Sequence, residues 1–166
     1  MIFKFLSKNF YIGFFVVILI YFLDSLSKIY VIQLDKNNFG SDIFNSTYLN
    51  IVLIWNKGIA FGLFSFNEMY LYNILTLIIL IIIIMLIVMS IKNHRFKRYS
   101  LLMVVGGALG NLHDRIFYNA VPDFIDFHVG EFHWFIFNVA DIFITTGIIF
   151  MILCEIVGNN NKNEKI

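Results

Sequence analysis

One proline and one cysteine in 166 residues remove two common devices of small folds. A lone Cys154 cannot form an internal disulfide, and within its apolar run it reads as a small core hydrophobe. Charge is scarce too. Only 14% of residues are Asp, Glu, Lys or Arg, and a net charge of +1 offers no bulk attraction to nucleic acid, which is not expected as a partner. Neither a His-Glu-x-x-His helix motif nor a Gly-x-Ser-x-Gly elbow is present. His113, His128 and His133 fit no zinc spacing, so no metal and no cofactor is expected.

What the chain has instead is apolar side chains, 60% of the total, arranged in long blocks without a polar face. That composition specifies an all-α integral membrane protein in a single domain over residues 1–166. Four spans are expected, at about 10–30, 69–91, 99–115 and 132–153, each near the ~20 residues a bilayer requires. The uncharged part of the first span ends at Leu23 and is followed by Asp24-Ser25-Leu26-Ser27-Lys28 and no small-x-small cleavage pattern, so it reads as retained. Lys4 and Lys8, then Lys92, Arg95, Lys97 and Arg98, then Lys162 and Lys165 fall on one side. The positive-inside rule makes that side, with both termini, cytoplasmic. The tail 158–166 is Asn- and Lys-rich and is expected to be disordered.

The two outer loops are the places left to build a site. In the first, Tyr48 to Trp55 is rich in β-branched and aromatic residues and predicts a strand, the start of a small extracytoplasmic β cradle. The second carries Asp114, Asp123 and Asp126. Asp141 is the only charged residue between Phe132 and Leu153, and a carboxylate at membrane depth is costly enough to be functional by default. Trp134 is expected at the interface, with Asp141 roughly 10 Å deeper and on one helix face with Asn138. A second carboxyl approaching Asp141 in so apolar a setting would share a proton with it, the arrangement of an acid–base pair. Spacing alone does not choose among Asp114, Asp123 and Asp126.

Other polar positions have simpler readings. Asp24 and Lys28 stand i, i+4 and read as a snorkelling ion pair at the outer end of the first span. Asp114 and Arg115 suit a local polar network or a lipid headgroup. Asn56-Lys57-Gly58-Ile59-Ala60-Phe61-Gly62 is a turn near the outer interface. Gly106 and Gly110 have the small-xxx-small spacing of packed membrane helices, and Asn111 beside them needs a partner if buried.

The order of these motifs resembles the lipoprotein signal peptidase family, the bacterial type II signal peptidases. The resemblance rests on Asp24-x-x-x-Lys28, Asn56-x-Gly58-x-Ala60-Phe61, Gly106-Gly107-Ala108-x-Gly110-Asn111-x-x-Asp114-Arg115, Val121-x-Asp123-Phe124 and Phe137-Asn138-x-Ala140-Asp141. It covers nearly the whole chain. It implies that Asp123 and Asp141 are the catalytic pair. It also implies that Asp24, Lys28, Asn56, Gly58, Asn111, Asp114, Arg115 and Asn138 support that pair or hold substrate. Departures are small: Ser25 and Ser27 stand where Gln and Thr are frequent, and Pro122 where an aliphatic residue is common. The implied enzyme is an aspartic endopeptidase of the bacterial cytoplasmic (inner) membrane, multi-pass, with its site facing outward. Its implied substrates are diacylglyceryl-modified prolipoproteins cut before the lipidated cysteine, with membrane lipids as surroundings. The competing reading is a small transport or channel subunit using Asp141 as a proton or cation relay; a structural assembly partner is a third.

Overall fold

The computed structural model describes residues 8–38, 43–58 and 69–163. Seven elements follow in order: α1 Lys8–Asn37, β1 Leu49–Asn56, α2 Met69–Lys92, α3 Arg95–Tyr118, β2 Val121–Val129, β3 Phe132–Phe137 and α4 Val139–Asn163. Among the described residues, three helices are long and apolar enough to cross a membrane: Asn9–Asn37, Met69–Lys92 and Val139–Val157. Little of each is buried within the protein. Phe14, Phe15, Leu26, Ile84 and Ile152 all point outward, which in water would be an aggregation hazard and in lipid is the expected surface.

Helix α3 is the exception and the centre of the molecule. It is the least apolar of the four, yet it holds more buried residues than any other element, from Ser100 to Arg115. The other three helices pack around it. A cluster of Ile83, Val105 and Leu112, flanked by Val17, Ile79 and Leu86, joins α1, α2 and α3. Close approach of α4 depends on Gly107, where a Cβ would lie 2.5 Å from the Ala140 carbonyl oxygen. Gly110 likewise leaves room for the Asp24 side chain of α1.

Helix α3 ends at Asn119, whose left-handed φ of 54° turns the chain directly into β2. Strand β2 is the middle of an antiparallel sheet ordered β1-β2-β3. The strand expected over 48–55 is thus present as β1, but the sheet is not confined to the first outer loop. Two of its strands come from the segment after α3; within its own loop, among the described residues, β1 makes only an isolated bridge from Ile51 to Phe44.

The apolar stretch 132–153 divides into two elements. Phe132–Phe137 is strand β3, and α4 begins only at Val139. An unbroken aromatic and aliphatic run carries no period that distinguishes strand from helix, and Asn138 supplies the break. Asp141 therefore lies in the first turn of α4, not roughly 10 Å along a helix from Trp134. Helix α4 also continues to Asn163, through most of the tail where disorder was expected.

Candidate active site

Asn138 is the N-cap of α4, and Asp141 is its third helical residue. The two form a reciprocal cap. The Asp141 N–H donates to the Asn138 side-chain oxygen, and the Asn138 N–H donates to Asp141 Oδ2, each at 3.2 Å. The side-chain amide of Asn138 remains free to reach across to β2, where it donates to Asp123 Oδ1 at 2.6 Å. One residue thus touches both carboxyls.

Strand β2 places Asp123 opposite Ile54 of β1 and, two positions along, Val121 opposite Asn56. Asn56 donates to Asp123 Oδ2 at 2.9 Å. Its own side-chain oxygen accepts from the Gly58 N–H at 2.8 Å, which fixes the amide's orientation. Asp123 is buried, and burial is the main reason its pKa rises from 3.8 to about 6. The bond from Asn56 opposes that rise, and the charge of Asp141 adds to it.

On the other side, Asn111 donates to Asp141 Oδ1 at 3.0 Å. The Asn111 oxygen accepts from Asn138 at 3.2 Å and from Lys28 Nζ at 2.8 Å. Lys28 also donates to Asp24 and to Asp114, both at 2.6 Å, so all three ammonium protons have acceptors. Asp24 and Lys28 are only 0% and 2% exposed. They are no snorkelling surface pair. With Asp114 they lock α1 to α3, while Asp24 Oδ1 accepts the Ala140 N–H at 2.8 Å and so orients the start of α4. Arg115 donates to the Asn111 and Gly58 backbone oxygens at 3.1 and 2.9 Å, which resolves the Asp114–Arg115 pair as a network and not a lipid-binding surface.

The structure therefore gathers Asp24, Lys28, Asn56, Gly58, Asn111, Asp114, Arg115, Asp123, Asn138 and Asp141, drawn from every element except α2 and β3, into one largely buried polar cluster. Asp123 and Asp141 both line a cavity of about 170 Å³, with Asn56, Asn111 and Arg115 on its polar wall. Asp126 stays out of it, engaged with His133 and Asn50. Ile59, Ala60, Phe61 and Gly62 lie outside the described residues.

A second cavity of about 400 Å³ also opens on Asp141 and is walled by Phe127, Trp134, Phe135, Phe137, Ile142 and Thr145. Sequence reasoning missed this groove. The signal was available around the start of α4, where Asn138, Asp141 and Thr145 fall at i, i+3 and i+7 in a largely apolar stretch. It was not available for the sheet residues, which reach the groove by pairing.

Comparison with known proteins agrees. A family model described as Signal peptidase (SPase) II matches residues 16–157. A lipoprotein signal peptidase of Pelagibacter ubique is 49% identical, covering 95% of this chain and 96% of that protein. One from Anaplasma phagocytophilum is 40% identical, covering 92% and 96%. A solved bacterial membrane enzyme superposes with a TM-score of 0.74 at 29% identity, covering 90% of each chain. A second reaches 0.68 at 27% identity, covering 86% of this chain and 90% of that one. The chain belongs to the signal peptidase II family, whose relatives here are lipoprotein signal peptidases.

Proposed function

We propose that the chain is an aspartic endopeptidase that removes signal peptides from diacylglyceryl-modified prolipoproteins, cutting before the lipidated cysteine. Family membership supports signal-peptide cleavage of prolipoproteins. The observation that supports the aspartate mechanism is the shared cavity: Asp123 from β2 and Asp141 from α4 line it together, bridged by Asn138.

The chemistry needs one charged and one neutral carboxyl. The ionised partner takes a proton from water as the hydroxide attacks the scissile carbonyl carbon. The neutral partner donates a hydrogen bond to the carbonyl oxygen and stabilises the tetrahedral intermediate. The proton taken from water then passes to the departing amine. Burial keeps Asp123 protonated to a higher pH than an ordinary carboxyl, so a mixed state is accessible near neutrality. No step uses a metal or organic cofactor. Asn56, Asn111 and Asn138 donate to the carboxylate oxygens and hold them in place.

In this reading the molecule is one domain with four spans. The basic helix ends and both termini face the cytoplasm, and the site opens at the outer face of the bacterial inner membrane. The apolar groove beside Asp141 suits the hydrophobic part of a signal peptide, and acyl chains lie along the exposed helix faces. The test is cleavage of a diacylglyceryl-modified prolipoprotein in detergent by the wild-type chain and by its Asp123→Asn and Asp141→Asn variants. Cleavage before the lipidated cysteine by wild type alone is expected. No cleavage by a folded wild-type chain would overturn the reading and favour the relay, with proton flux in liposomes as the next assay.

A further inference from the structure

The β2–β3 hairpin carries a second cluster of chemically capable side chains, three residues beyond Asp123 and outside its cavity. Cross-strand pairing places His128 opposite His133, with the two imidazole rings stacked 4.9 Å apart at 18°. The hairpin turns on Gly130, whose φ of 60° a two-residue loop requires at its first position. A shift in register between Asp126 and His128 adjusts β2 locally. The outcome is that one ligand atom from each of Asp126, His128 and His133 lies within 4.8 Å of the others.

We infer that Asp126, His128 and His133 bind one divalent transition metal ion of the zinc class. Two imidazoles and a carboxylate form the donor set of zinc, copper(II) and nickel sites, whereas calcium and magnesium require oxygen donors. Four further observations support the site. His133 Nδ1 lies 2.9–3.0 Å from both oxygens of Asp126, so the ring is already oriented. Asn50 of β1 donates to Asp126 Oδ2 at 3.3 Å and holds the carboxylate from behind. His128 Nδ1 is buried without a hydrogen-bond partner, a cost that coordination of the ring would offset. The His133 side chain is 53% exposed, which gives an ion a path in from water.

Histidine spacing in the sequence did not point here because it grouped these two residues with His113. That ring packs between Tyr21 and Phe117 on the helices, and Asp126 takes its place. The ion would clamp β2 to β3 without entering the Asp123–Asp141 cavity. The inference is independent of the peptidase mechanism.

The test uses the full chain carrying a tag without histidine, purified in detergent, stripped with chelator and exchanged into metal-free buffer. Calorimetric titration with Zn2+ is expected to show one equivalent bound, with no comparable uptake of Ca2+ or Mg2+. Binding weakens at least about tenfold in His128→Gln and in His133→Gln, whose exposed or half-exposed positions tolerate the change, and is unaltered in His113→Gln. With Cu2+ as probe, electron paramagnetic resonance shows coupling to two imidazole nitrogens in wild type and to one in either variant. Absence of Zn2+ binding, or equal binding by wild type and the His128→Gln/His133→Gln double variant, overturns the site.

Discussion

Two lysine–carboxylate pairs sit at opposite ends of the molecule and show how differently one interaction is used. Lys97 of α3 meets Glu155 of α4 at 2.5 Å, with side chains 33% and 60% exposed. Water and salt screen such a pair, and it contributes at most about 1 kcal/mol. Lys28 meets Asp24 and Asp114 at nearly the same separation but in full burial. There the charges cannot be rehydrated when a partner is lost, so each group depends on the others. The exposed pair merely joins two helices. The buried cluster sets the positions of Asn111 and Ala140, and through them the two acids of the cavity.

The largest expected effect breaks the site end while leaving the fold intact. Asp123→Asn and Asp141→Asn each lower prolipoprotein cleavage on the order of 10³-fold or more, assayed in single turnover. Full activity in either variant would remove that residue from the chemistry. Next comes Lys28→Met, which leaves Asp24 and Asp114 buried without their cation and lowers stability by about 3–5 kcal/mol in thermal unfolding. Lys97→Met, measured alongside, changes stability by less than about 1 kcal/mol. Equal losses in the two would dissolve the contrast between the ends.

A third expectation concerns pH. The native carboxyl of Asp123 titrates near 6 against 3.8 when unfolded, so between these values the folded chain binds more protons. Its contribution is therefore present at low pH and lost as pH rises through about 6, a decline on the order of 3 kcal/mol. Asp123→Asn cancels this decline, so that variant is the more stable chain at pH 7.5 and not at pH 3.5. The comparison of melting temperatures at the two pH values decides it. Smaller again is Gly107→Ala, whose new methyl meets the Ala140 carbonyl and costs about 1–3 kcal/mol, with reduced cleavage because α4 shifts with its acid. Prolonged chelation should leave cleavage unchanged. Loss restored by zinc would bring a metal into the mechanism.

Much of this was legible in the chain. Met69–Lys92 needed only its uncharged length, and the order of short polar motifs named every member of the buried cluster. Other features were not, for identifiable reasons. Asp24 and Lys28 have the same spacing whether they snorkel or lie buried, and only the approach of Gly110 and Ala140 decides. The boundary at Asn138 hides in a run apolar on both sides. The sheet depends on pairing residues more than 60 positions apart, such as Asn56 with Val121, which local pattern does not encode. Asp126 is one of three equivalent candidate acids until β3 folds His133 onto it.

Asn138 sits at the joint between β3 and α4, and it works as a gauge. Its backbone and side-chain oxygen follow the helix, while its amide nitrogen reaches the strand that carries Asp123. The gap between the two acids is therefore set by the span of one short side chain. Any displacement of β2 from α4 must stretch or release that bond. In the proposed mechanism, spreading the sheet from α4 and parting the two acids would be one movement.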